Sequence, residues 1–136
     1  MASLIFSSCP YDAFRGAINF DADIFGVILV DGSYKPDRSA HTKRSQITGE
    51  IAGDGYAAGG QVAAVTLKRD GDVTLVSLGA AKWTTASLAA RGAVYFKRRG
   101  GKPETEELVA FIDFGREVVS TNADFDLDAS SIELES

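Results

Sequence analysis

Asp37, Ser39 and His41 carry the carboxylate, hydroxyl and imidazole from which a hydrolase assembles its orienting acid, nucleophile and base. That chemistry needs the imidazole held against the hydroxyl by the acid. Here all three lie in one polar stretch punctuated by Lys35-Pro36-Asp37, and a single loop rarely supplies that geometry. The stretch reads as a solvated loop, and no catalytic residue is assigned. Asp21, Asp23 and Asp31 suggest a calcium loop, but the twelve-residue spacing closed by a glutamate is missing, so they read as turn formers. Gly53, Gly55, Gly59 and Gly60 lack the Gly-Lys-Ser/Thr sequence of a phosphate-binding loop. A single cysteine, Cys9, and a single histidine exclude a zinc site built mainly from those ligands. No metal or cofactor site is expected.

Lys97, Arg98 and Arg99, with Lys102, form the densest basic cluster, directly after Tyr95 and Phe96. A single-strand nucleic-acid binder stacks bases on exposed aromatics beside such charge. Successive side chains of a strand point to opposite faces, so one of these two rings must enter a core. Trp83 is expected in the core for its size. The charge balance also argues against nucleic acid. Residues 1–103 hold 13 Lys and Arg against 9 Asp and Glu, whereas residues 104–136 hold one Arg against 10 acidic residues, recovering the net charge of −5. A phosphate-binding face must be dominated by positive charge, and a field split in this way argues against general nucleic-acid binding. A split field suits docking to another protein, where opposite patches steer and register partners.

The elements that would position these groups are mostly strands. At 136 residues the chain makes one domain, residues 1–136, long enough to bury a core without disulfides. Nothing approaches the apolar run of about 18 residues that a membrane helix needs. Leu4-Ile5-Phe6 is too short, and lacks the preceding basic residues, for a lipoprotein signal. Ser7, Ser8 and Pro10 suit the start of a brief helix running through Tyr11 to Arg15 and ending at Gly16. Strands are expected at Ala17–Phe20, Ile24–Val30, Ile47–Ile51 (an edge), Val62–Leu67, Val73–Leu78, Ala93–Lys97, Leu108–Phe114 and around Val118-Val119. Residues 31–61 are mostly loop, with one helical turn in Ala40–Gln46. Ala80–Arg91 suits strand or helix. Asp70-Gly71 between two apolar runs is the strongest hairpin signal, expected as a type I′ turn. Near the carboxyl end Phe125, Leu127 and Ala129 share one parity and Ile132 and Leu134 the other, which places a bulge or bend at Ser130-Ser131. About eight strands with at most one or two short helices predict an all-β, jelly-roll-like β-sandwich.

The stretches RGAINFDADIFGVILV, KPDRSAHTKRSQI, GDGYAAGG, ARGAVYFKRRGG and ELVAFIDFGREVVSTNADF resemble a family of small tailed-phage virion proteins, from about Leu4 to Phe125. These are the capsid cement, or decoration, proteins. The resemblance implies a jelly-roll fold, a location on the capsid exterior after synthesis in the host cytoplasm, and a homodimer that clamps the major capsid protein lattice. It offers no catalytic residues to carry over, and with the charge split and the short apolar runs no enzymatic activity, nucleic-acid partner or membrane partner is expected. The candidate partner contacts are Lys35, Arg38, Lys43 and Arg44 in the first long loop, Lys97, Arg98 and Arg99 in the second, and Asp124, Asp126 and Asp128 near the carboxyl end. The alternatives are a tail or baseplate component, or a glycan-binding β-sandwich on the virion surface.

Overall fold

A seven-residue apolar run, a hairpin signal and two long alternating segments dictate a strand-built molecule, and the computed structural model, which describes residues 2–100 and 102–135, has that form. In chain order the elements are β1 (Ala2–Ile5), α1 (Ser8–Phe14), β2 (Phe25–Val30), β3 (Gln61–Val62), β4 (Val65–Asp70), β5 (Val73–Leu78), β6 (Ala81–Lys97), β7 (Leu108–Leu127) and β8 (Ser130–Glu135), with 3₁₀ turns at Arg44–Gln46 and Pro103–Thr105. They form two antiparallel sheets, ordered β1-β7-β6-β2-β3 and β4-β5-β8, in an all-β sandwich.

The spine is the β6–β7 hairpin, paired from Ala81 opposite Leu127 to Phe96 opposite Leu108. Ala80–Arg91 is therefore strand: its alanines alternate with Trp83 and Leu88, and Ala86, Ala90 and Ala93 are fully buried. Small side chains let the second sheet approach closely, while Trp83 and Tyr95 fill the space between. The Tyr95 hydroxyl donates to the Gly79 carbonyl at 2.8 Å and so ties the two sheets together. Four register shifts bend the hairpin, and residues along its length, from Trp83 to Tyr95, share one core with Val65, Val76 and Leu78 of the second sheet.

β2 is buried at every position because both faces of its sheet are covered. Val27 and Leu29 face the main core with Trp83, Tyr95, Val76 and Leu78. Ile28 and Val30 face a second core with Phe6, Val94, Phe96 and Phe111, roofed by Tyr34 and partly by Ile47. The long 31–60 segment is thus a lid over hydrophobic surface. Its end is fixed by Gly60, whose φ of +68° and 1.8 Å approach of a built Cβ to the Val27 carbonyl oxygen leave room only for glycine.

Several expectations are corrected. Ala17–Phe20 is not a strand, because the Asp12 carbonyl accepts from both the Ala17 and Ile18 amides and Asn19 starts a turn closed by Asp23. Ile47–Ile51 forms no strand: its backbone meets β2 at a Val30–Glu50 bridge and through the Ile51 amide on the Leu29 carbonyl. Val118-Val119 is part of β7. The hairpin turn is Gly71-Asp72, and only Gly71 has positive φ, the pattern of a type II′ rather than type I′ turn. The parity switch near the carboxyl end is real, but it falls at Asp128-Ala129 and carries the chain from one sheet to the other.

Candidate partner-contact surface

The basic loop after β6 does not stand free. Glu106 and Glu107, just before β7, fold back onto it. Glu106 is only 1% exposed; it takes the Arg44 guanidinium on one oxygen and the Arg99 amide, at 2.9 Å, on the other. The Arg44 guanidinium carbon also lies 5.0 Å from the centre of the Phe96 ring. Glu107 receives Arg99 bidentately, at 2.7 and 3.1 Å. Burial pushes the Glu107 carboxyl up, but the Arg99 guanidinium pulls it further down, and it ends below its ordinary value. Lys97 points inward to Asp23 at 2.8 Å and to the Ala17 carbonyl at 2.7 Å. Of the expected contact residues, Arg44 and Lys97 therefore spend their charge inside the molecule, and Arg99, though exposed, is committed to Glu107. Arg98 lies half-buried with its aliphatic stem packed over Gly26.

The 31–46 segment is also built rather than loose. Asp37 accepts from the amides of Ser39 and Ala40, at 3.1 and 2.9 Å, which closes a turn around the position of Ser39. These bonds hold the Asp37 carboxyl below its usual range. The Asp37 amide donates to His41 Nδ1 at 3.2 Å, and an amide can only donate. Nδ1 is therefore an acceptor, the Tyr34 hydroxyl donates to it at 2.9 Å, and the proton of the neutral ring sits on Nε2. This geometry anchors Tyr34 in the second core; it turns the lone pair that would act as a base toward structural donors. Arg38 donates to the Ile5 carbonyl at 3.0 Å and Lys35 to the Gly32 carbonyl at 3.2 Å, both with exposed side chains. Lys43 is half-buried beside the Glu107 bridge.

Asp124 and Asp126 on β7, and Asp128 just past its end, are exposed, while Phe125 and Leu127 point into the core. Lys82 on β6 lies between the first two, 3.9 and 3.7 Å away. All of these groups are well solvated, where such pairs contribute about 0–1 kcal/mol. Trp83 is 3% exposed, packed between Tyr56 and Phe125. Tyr56 donates to Glu50 at 2.7 Å, so neither ring offers a sugar-stacking platform. Among the described residues no three His, Cys, Asp or Glu side chains gather to hold a metal ion, and no helix is long and apolar enough to cross a membrane. Cys9 is buried, and burial with the nearby Asp12 pushes its thiol up to about 12.

Three features escape the reading of the sequence. The buried Glu106–Glu107 pair is legible only as the opposite-charge match of Arg98-Arg99 across one hairpin loop. The exposed Tyr11 and Phe14 of α1 carry no signal in so short a helix. The edge strand β4 exposes every residue after Val65, including Leu67, Lys68 and Arg69. No protein-family model, curated protein or solved structure matches this chain.

Proposed function

We propose that this chain is a virion structural protein, a capsid cement or decoration protein that binds the outer surface of the major capsid protein lattice and bridges neighbouring capsomers. The observation that carries the reading is the two-sheet all-β architecture, which the resemblance in sequence to cement proteins implies. Two physical features support it. The ion pairs around Glu106 and Glu107 make the loops stiff, as suits a block that must resist displacement of its neighbours. The outward charges of β4 and β7 stay available for contacts that are weak singly and strong when repeated by symmetry.

The test is the copy number on purified particles. Gel densitometry should give a fixed, symmetry-related ratio to the major capsid protein, amounting to hundreds of copies. Particles lacking the protein should lose their contents at lower temperature. A few copies per particle would instead identify a tail or baseplate component, and absence from particles would end the reading.

A further inference from the structure

His41 is the only histidine of the chain, and it sits half-buried where the lid covers the second core. Two donors share one atom of its ring. The Tyr34 hydroxyl and the Asp37 amide both donate to Nδ1, at 2.9 and 3.2 Å. The His41 amide in turn donates to the Asp37 carbonyl at 3.0 Å, so the two residues clasp each other through main chain and side chain. The clasp fixes what lies on either side of it. Tyr34, only 4% exposed, stacks on the imidazole at 5.6 Å and meets Phe111 edge-on at 5.5 Å. Arg38, inside the clasp, takes the Ser7 amide on its carbonyl at 2.9 Å and donates to the Ile5 carbonyl, which ties the lid to the corner between β1 and α1.

We infer that His41 is an acid-operated latch: the neutral ring holds the Tyr34–His41 part of the lid closed over the second core, and the protonated ring releases it. Imidazole is the side chain whose ordinary charge change falls near neutral pH. Protonation puts a hydrogen on Nδ1, and both ring nitrogens become donors. The Asp37 amide cannot reverse, so two N–H groups then face each other where one bond of 3.2 Å stood. The Tyr34 hydroxyl can turn to accept, but its own hydrogen then loses the acceptor it has. The charged groups nearby do not restore the clasp. The Asp37 carboxylate draws a cationic ring toward itself, yet it already accepts from the Ser39 and Ala40 amides. Arg38 and Lys43, on the same segment, oppose a further cation. On the β7 side Glu107 is engaged by Arg99, and Asp113, which shares a cleft with Tyr34 and Arg91, accepts from the Gly115 amide. The β1–α1 corner meets the lid through the Ile5 carbonyl and the Ser7 amide, which do not titrate. Release bares the apolar faces of Tyr34 and Phe111 while the β6–β7 spine keeps its own pairing. This inference does not rest on the virion reading, and its test needs no capsid.

The experiment is NMR of the isotope-labelled full chain from about pH 8 to about pH 5.5, a window that spans imidazole titration and stays above ordinary carboxylates. A single histidine gives a single imidazole pattern, expected as the Nε2–H tautomer at the upper end. After correction for intrinsic rates, the amides of Asp37 and His41 should exchange at least about threefold faster once the ring is charged, with a midpoint matching the ring's own titration. The amides of β6 should not follow. His41→Gln keeps an acceptor but does not titrate, so its lid amides should hold the same protection across the window. Tyr34→Phe keeps the buried ring and removes one donor, so the step should shrink without any change to the histidine. An Nδ1–H tautomer at the upper end, protection unchanged as the ring titrates, the same step in His41→Gln, or a step shared by β6 would overturn the inference.

Discussion

Two acidic regions of this molecule use the same residue types to opposite ends. Around Glu106 and Glu107 each carboxylate is buried and doubly engaged, by Arg44 and the Arg99 amide in one case and by the Arg99 guanidinium in the other. Along β7, Asp124 and Asp126 share one solvated lysine at the limit of ion-pair distance, and Asp128 is exposed. The difference is dielectric. A buried carboxylate must be matched or its desolvation is uncompensated, whereas a surface carboxylate is already satisfied by water. The first region therefore holds the loops together, and the second is free to meet something else.

The largest expected effect separates the two directly. Glu106→Ala removes one partner of a buried pair and strands the Arg44 guanidinium, at a cost of about 3–5 kcal/mol, or a fall of about 10 °C or more in Tm by calorimetry. A fall of only a degree or two would mean that the pair is hydrated in solution and that the two regions are alike.

Acid sharpens the comparison. The folded Glu107 carboxyl lies below its unfolded value, so its contribution is fully present above the ordinary glutamate range, near 4.3, and is lost as pH falls through the depressed folded value. Denaturant titrations should therefore show the wild type losing stability between about pH 5 and pH 3 more steeply than Glu107→Gln. Parallel curves would exclude Glu107 as a source of acid sensitivity. Asp23, also held below its ordinary value, has its Lys97 partner removed in Lys97→Met; the expected cost is about 1–2 kcal/mol, because the Ala17 carbonyl also loses one of its two donors and keeps only Arg99. A null result in urea unfolding would place Lys97 among the surface charges.

The smallest effect belongs to the exposed carboxylates of β7. Asp124→Asn with Asp126→Asn should change stability by less than about 0.5 kcal/mol, since exposed pairs of this kind contribute little. A loss several times larger would show that these charges are structural too. Cys9 offers a control independent of charge: its buried, poorly ionised thiol should react with an alkylating reagent only after unfolding.

Much of the framework is legible in the sequence. The apolar run Ile24–Val30 announces a buried strand, and the strand found, Phe25–Val30, is buried at every position while Ile24 stays exposed. Asp70-Gly71 between alternating segments announces the β4–β5 hairpin, though the turn slips by one residue because Gly71 takes the first central position. The Phe125–Leu127 and Ile132–Leu134 parity announces a break. The role of the surface is less legible. Lys97, Arg98 and Arg99 read as an exposed basic loop because local sequence says nothing of Glu106 and Glu107 folding back, or of Asp23 arriving from beside β2. Residues 31–61 read as mostly loop because turn formers dominate them; Tyr34 and Ile47 alone hint that they roof a second core.

What the sequence by itself determined is strand content, the all-β class, the β4–β5 hairpin and the inward placement of Trp83, since each follows from short-range periodicity and side-chain size. Which charges are consumed, which edges stay open and which side of the sandwich is acidic were decided only by tertiary structure. Those properties depend on groups far apart in the chain meeting in a low-dielectric interior, and no local pattern encodes that meeting.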